Sequence, residues 1–96
     1  MQYFVGFDVG TSSVRCGLFN SLGELVSTAV VPITTWNPTG GHYEQSSREI
    51  WESCCTASRV VMRNATGVTA SMVLGIGFDA TCSLVVLGPL ELAAGI

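Results

Sequence analysis

Phe4-Val5-Gly6-Phe7-Asp8-Val9-Gly10-Thr11-Ser12-Ser13-Val14-Arg15 is the stretch on which the fold turns. An apolar run of strand character enters a Gly-Thr-Ser-Ser turn and leaves as a second apolar run. So short a link makes the two runs antiparallel neighbours. One carboxylate precedes the turn and one guanidinium follows it. A glycine-flanked turn lets several backbone N–H groups converge on one anion, and Thr and Ser hydroxyls add donors. Asp8 suits a magnesium ion or its bound water, and Arg15 suits a phosphate oxygen in fork geometry. A plain polar turn accounts for the same residues, since Gly and Ser favour turns on conformational grounds alone. Both readings stand on these residues.

Working outward, residues 2–9 and 14–20 read as the two strands of this hairpin. Ser21-Leu22-Gly23-Glu24 supplies the next turn, and Leu25 to Thr35 reads as a third strand rich in Val, Ile and Thr. Pro32 puts that strand at an edge or irregularity. Trp36 to Gln45, with Pro38, Gly40 and Gly41, reads as a loop. A helix is expected over 46–66, with Ser46 as N-cap and Glu49 three residues on in a capping-box pattern. Ile50, Cys54, Ala57, Val61 and Ala65 form its apolar stripe, with Trp51 beside it as a core anchor and not a substrate contact. Arg59 and Arg63 suit the helix C-terminal end, and Gly67 stops it. Residues 72–79 read as a fourth, buried strand, and 83–87 as another after a short polar turn. The expected class is α/β, an antiparallel β-meander followed by a helix and a return strand in a mixed sheet.

Ninety-six residues make one small domain. Charged residues are only 11% of the chain against 48% hydrophobic, and all four basic residues are arginine. Ordinary soluble domains carry about a quarter of their residues charged, so this surface is expected to be covered by further protein. A net charge of −3 without any basic run argues against nucleic acid as a partner. Cys16, Cys54, Cys55 and Cys82 lack the spacing of a zinc site, and they read as reduced, mostly buried thiols of a cytoplasmic protein. Asp8 interrupts the N-terminal apolar run, so no secretory signal is read there. No uncharged apolar stretch reaches the roughly 18–20 residues that span a bilayer. Asn64-Ala65-Thr66 fits a glycosylation acceptor and is read as chance.

Asp8-x-Gly10-Thr11-Ser12-Ser13-x-Arg15 resembles the first phosphate-binding hairpin of the sugar kinase, heat-shock chaperone and actin superfamily. Gly41-His42-Tyr43-Glu44-Gln45 leading into Glu49-Ile50-Trp51, and the run Ile76 to Leu87, narrow the likeness to the FGGY carbohydrate kinases. Phe78-Asp79-Ala80-Thr81-Cys82-Ser83 is most similar to the ribulose kinases of that family. The resemblance implies the N-terminal part of an actin-like, ribonuclease H-like ATPase domain over residues 1–87, with a divergent tail over 88–96. It implies ATP and Mg2+ as cofactors and a small sugar, a ribulose-like pentulose, as substrate. Thr11, Ser12, Ser13 and Arg15 would line the ATP phosphates and Asp8 would organise the metal. Thr81, Cys82 and Ser83 would fall among the sugar contacts, while Glu44 and Gln45 would be at least partly structural. His42 receives no catalytic role.

In such kinases the sugar hydroxyl attacks the γ-phosphorus of ATP in line, and the catalytic aspartate and adenine pocket lie further along than this chain extends. No catalytic residue is therefore assigned here. The run Gly88 to Ile96 departs from the family pattern, where an acidic residue would follow Leu87. The chain reads as a kinase fragment, inactive alone and poorly soluble or partly molten, and prone to self-association through uncovered apolar surface. Two alternatives remain: a non-catalytic module that binds phosphate or a partner protein, and a chaperone- or actin-like ATPase fragment. The Glu-Gln loop and Ile-Trp helix disfavour the latter.

Overall fold

The computed structural model describes residues 1–34 and 46–80. Tyr3–Val9 (β1), Ser13–Asn20 (β2) and Leu25–Pro32 (β3) form an antiparallel meander. Register places Val5 opposite Leu18 and Phe7 opposite Cys16, and then Cys16 opposite Ala29 and Val14 opposite Val31. Because successive side chains in a strand alternate faces, these residues share one side of the sheet. Val5, Phe7, Val14, Cys16, Leu18 and Ala29 are buried there, whereas Phe4, Asp8, Arg15 and Val30 lie exposed on the other side.

The β2–β3 turn is built by one residue. The Asn20 side-chain oxygen accepts from the backbone N–H groups of Leu22 and Glu24, each at 3.0 Å, and its amide donates to Glu24 Oε1 at 2.9 Å. Gly23 completes the turn at φ 82°, a conformation in which a side chain would be strained.

Ser47–Asn64 is the helix α1. The Ser46 hydroxyl accepts from the Glu49 N–H at 3.1 Å, as the N-cap reading requires. The second half of the expected capping box is replaced. The Glu49 carboxylate instead takes the Thr34 backbone N–H at 2.6 Å and the Thr34 hydroxyl at 2.9 Å. The helix start is thereby strapped to the end of β3, and a tertiary partner wins over the local one. Cys54, Ala57, Val61 and Ala65 are buried against Val14, Cys16 and Leu18, with Ile50 packed at the margin. After α1 the Val68 N–H bonds the Ala65 carbonyl, Gly67 takes φ 82°, and a single 3-10 turn at Ala70–Met72 leads into Val73–Ala80 (β4).

β4 pairs parallel with β1, which gives the order β3-β2-β1-β4 and makes the sheet mixed. A parallel return needs a crossover, and α1 supplies it. Two expectations are corrected here. The fourth strand is present but not buried: Leu74, Ile76 and Phe78 are 56–62% exposed. Trp51, read as a core anchor, is 61% exposed. One cause explains both, since α1 lies across β2 and β3 and barely reaches β1. The strand expected at 83–87, the loop at 36–45 and the tail 88–96 lie outside the described residues.

Candidate functional site

The site is built around the β1–β2 link. Val9 and Val14 are the last partners of the ladder, the Gly10 N–H bonds the Ser13 carbonyl at 2.9 Å, and Thr11 and Ser12 stand exposed at the tip. A Cβ on Gly10 would meet the Ser13 carbonyl oxygen at 3.3 Å, so the tight return favours a residue without one. The tip does not stand alone. The Ser12 carbonyl accepts from the Ile33 N–H at 3.0 Å, which ties it to the chain leaving β3. Thr34, one residue on, holds Glu49, so the hairpin tip, the exit of β3 and the start of α1 are joined in sequence.

Asp8 and Arg15 are direct cross-strand partners on the uncovered face, one pleat from the tip. Opposite charges at such positions commonly pair. Here they form no ion pair with each other among the described residues, and both remain exposed. Asp79 of β4 is the parallel partner of Asp8, so Arg15, Asp8 and Asp79 form a row across three strands. The sequence reading puts Asp79 at the end of the fourth strand and does not find its neighbourhood with Asp8. A parallel register between segments so far apart leaves no local signal.

The next row on that face is Gly17, Gly6 and Gly77, again in register. It is a floor without side chains. A Cβ on Gly17 would come within 2.9 Å of the Phe19 ring and 3.2 Å of Leu25 Cδ1, which fold over that end, whereas nothing lies within 4 Å of the Gly77 position. The charged row therefore borders a glycine strip that Phe19 and Leu25 cover at its Gly17 end and that is open at Gly77. Thr81, Cys82 and Ser83, which follow β4 in the sequence, lie outside the described residues, as do His42, Glu44 and Gln45.

The donor set fits magnesium. That ion is usually held through one or two carboxylates, with waters and substrate phosphates completing its octahedron, and the described residues contain no group of three or more ligating side chains. Exposed Asp8 beside the hydroxyl-bearing tip suits this arrangement. The described thiols lie away from the hairpin tip. Cys16, Cys54 and Cys55 are free, and Cys16 and Cys54 are buried on the helix side of the sheet. Burial, with Cys54 nearby, pushes the Cys16 thiol from 9.0 up to about 11, and burial, with Cys55 nearby, raises Cys54.

Residues 3–87 match the N-terminal domain of the FGGY family of carbohydrate kinases. The chain belongs to that family. It is 48% identical over 86 residues to the FGGY carbohydrate kinase domain-containing protein of Homo sapiens, covering 90% of this chain and 15% of the human protein. It is 44% identical over 86 residues to a D-ribulokinase of Saccharomyces cerevisiae, covering 90% of this chain and 12% of the yeast protein. Among solved structures, a xyloylose kinase from Brucella ovis superposes at a TM-score of 0.74 with 28% identity, over 82% of this chain and 16% of that one. A ligand-bound xylulose kinase from Lactobacillus acidophilus has the same fold, at a TM-score of 0.74 and 18% identity over 83% of this chain. The chain thus spans about 15% of the length of its FGGY relatives. No helix among the described residues is long and apolar enough to cross a membrane.

Proposed function

We propose that this FGGY segment supplies the phosphate-binding hairpin of an ATP-dependent kinase acting on a pentulose such as D-ribulose. Thr11, Ser12, Ser13 and Arg15 line the phosphates, and Asp8 holds Mg2+. The observation that carries this reading is the cross-strand juxtaposition of exposed Asp8 and Arg15 beside a hydroxyl-bearing tip. A fixed guanidinium can donate two parallel hydrogen bonds to a phosphoryl group, and a carboxylate one strand away can keep a hydrated cation within reach of the same phosphate. Bound Mg2+ would neutralise charge on the phosphate oxygens. The protein's own part is to hold these groups on a rigid ladder, which is most of what phosphoryl transfer asks of an enzyme.

The sugar class rests on the relatives: the yeast protein is a D-ribulokinase, and 44% identity extends over 86 residues. Thr81, Cys82 and Ser83 are the sugar-contact residues, the two hydroxyls suiting a polyol and Cys82 being a poor hydrogen-bond partner, and they follow in the sequence the strand that carries Asp79. Residues 1–87 form the partial kinase domain and 88–96 a divergent tail. The general base and adenine pocket come from chain beyond these residues, so the 96-residue chain alone is expected to turn over no sugar.

The test joins residues 1–87 to a complete kinase of this family. Arg15→Ala should lower kcat for D-ribulose about 10- to 100-fold with the fold intact, as expected for losing a charge-assisted hydrogen bond worth roughly 1.5–3 kcal/mol. Full activity in that variant would remove Arg15 from the site. Thr81→Val or Ser83→Ala should raise KM for the ketopentose more than KM for ATP. Equal effects on both would make the 81–83 turn purely structural.

A further inference from the structure

β1 and β4 run parallel, and open α/β sheets take their ligands outside the carboxyl ends of parallel strands. At that end Asp8 and Asp79 are register partners, each one residue before the close of its strand. Neighbouring strands lie about 4.8 Å apart, so Asp79 stands one strand from Asp8 and about 10 Å from Arg15. Arg15 and the hairpin tip take the β2 side of Asp8. Asp79 takes the other side and is exposed. Two residues back along β4, at roughly 6.6 Å, is Gly77, where a Cβ would have nothing within 4 Å. Beyond it the Phe4 ring borders Gly75, with Cδ1 at 3.4 Å from the position a Cβ would take, and Phe4 is 42% exposed. This face of β4 thus presents, in order, a carboxylate, an open backbone step and the edge of an aromatic ring.

We propose that Asp79 is a specificity-determining residue whose carboxylate accepts a hydrogen bond from a hydroxyl of the pentulose. This rests on the kinase reading of the hairpin and gives Asp79 a task within it. A carboxylate accepts at two oxygens and donates nothing, so it suits hydroxyls and opposes a phosphate. A polyol brings hydroxyls to the carboxylate and C–H surface to the ring. The glycine step lets its carbon chain lie against the backbone without meeting a side chain. Position along the row divides the work. The sugar must be held beside the phosphoryl group and outside the set of groups that grip it, and one strand spacing from Asp8 supplies that offset. Magnesium also takes carboxylates, and the experiment separates that role from this one.

The test uses the complete kinase carrying residues 1–87 and reads binding by calorimetry, without turnover. Asp79→Asn keeps the shape of the side chain at an exposed position, so the melting temperature should hold. Its Kd for D-ribulose, measured without nucleotide or metal, should rise about 10- to 100-fold, while its Kd for MgATP stays within about twofold. Deoxy analogues of D-ribulose, each lacking one hydroxyl, give a readout that a structural role would not move. One of them should bind the parent about as weakly as D-ribulose binds Asp79→Asn, and should lose nothing further in the variant. Unchanged D-ribulose binding in Asp79→Asn overturns the proposal. So does a gap between parent and variant that persists with every analogue. A rise in the Kd for MgATP that matches the rise for the sugar also overturns it, and would assign Asp79 to the metal. Arg15→Ala keeps the two inferences apart, since it should weaken MgATP and leave D-ribulose binding as it was. If Arg15→Ala spares MgATP while Asp79→Asn behaves as stated, the phosphate role of Arg15 falls and the sugar role of Asp79 stands.

Discussion

At the scale of single residues, Cys16 sets an alkaline limit on stability. Its thiol, ordinarily titrating near 9.0, is pushed up to about 11 by burial, with Cys54 adding to the effect. The folded state thus holds this proton more tightly than the unfolded chain does. The sign follows: the contribution is complete below pH 9, declines as the unfolded thiol ionises, and is gone once pH passes 11. A two-unit difference corresponds to on the order of 3 kcal/mol. Urea unfolding between pH 8 and 11 should show the midpoint falling in that window, and Cys16→Ala should flatten the decline while lowering the starting stability. Asp8 and Arg15 were legible as a hairpin pair because a short link leaves few registers open. The place of Asp79 beside them was not, since it depends on how a crossover lands and not on any nearby residue.

At the scale of elements, the junction between β3 and α1 separates local from tertiary effects. The Ser46 cap should be worth about 1 kcal/mol, read as the stability lost in Ser46→Ala. Thr34→Val and Glu49→Gln should each lower stability by about 1 kcal/mol, the net value of exposed hydrogen bonds to a charged group. Their combination should lower it by less than the sum, because both act on the bond between the Thr34 hydroxyl and the Glu49 carboxylate, while the Thr34 backbone N–H is kept in Thr34→Val. Ser46→Ala with Thr34→Val should be additive, since those side chains serve different partners. Additivity in the first pair would mean that the Glu49–Thr34 strap does not hold in solution. The cap was readable from Ser46 and Glu49, as were the stripe positions 54, 57, 61 and 65. The strap was not, because it joins Glu49 to Thr34 across the 35–45 segment, and the helix spacing carries no trace of it.

At the scale of the whole molecule, the core is one-sided. Leu18, Val14, Val61 and Ala57 are fully buried where α1 meets β2 and β3, and no described element covers the opposite face. Leu18→Ala should lower stability by about 2–5 kcal/mol, a large share of the roughly 5–15 kcal/mol that holds a domain together. Val30→Thr on the uncovered face should change it by no more than about 0.5 kcal/mol. Chemical denaturation of the two variants decides, and comparable losses would show that the uncovered face is packed after all. The α/β class, the meander and the parallel return were legible from short turns, apolar alternation and one clear helix. Burial was misjudged at β4 and Trp51 because an apolar strand run looks the same whether its neighbour is present or not. Only the lateral position of α1, set by Cys54, Ala57 and Val61 seating on β2, separates the two cases.

The parallel pairing of β1 with β4 also orders events in time. Three strands close through turns of a few residues, whereas Tyr3 meets Val73 only after seventy residues of chain have been arranged. Loop closure over that length is the slow step, so the meander should form first and β4 should dock last and detach first. Within β1, amide hydrogens alternate between its two neighbours. The Gly10 N–H engages Ser13, so counting back in twos assigns the amides of Asp8, Gly6 and Phe4 to β2 and those of Phe7 and Val5 to β4. Native-state deuterium exchange should therefore run in a sawtooth along one strand, slow at 4, 6 and 8 and faster at 5 and 7.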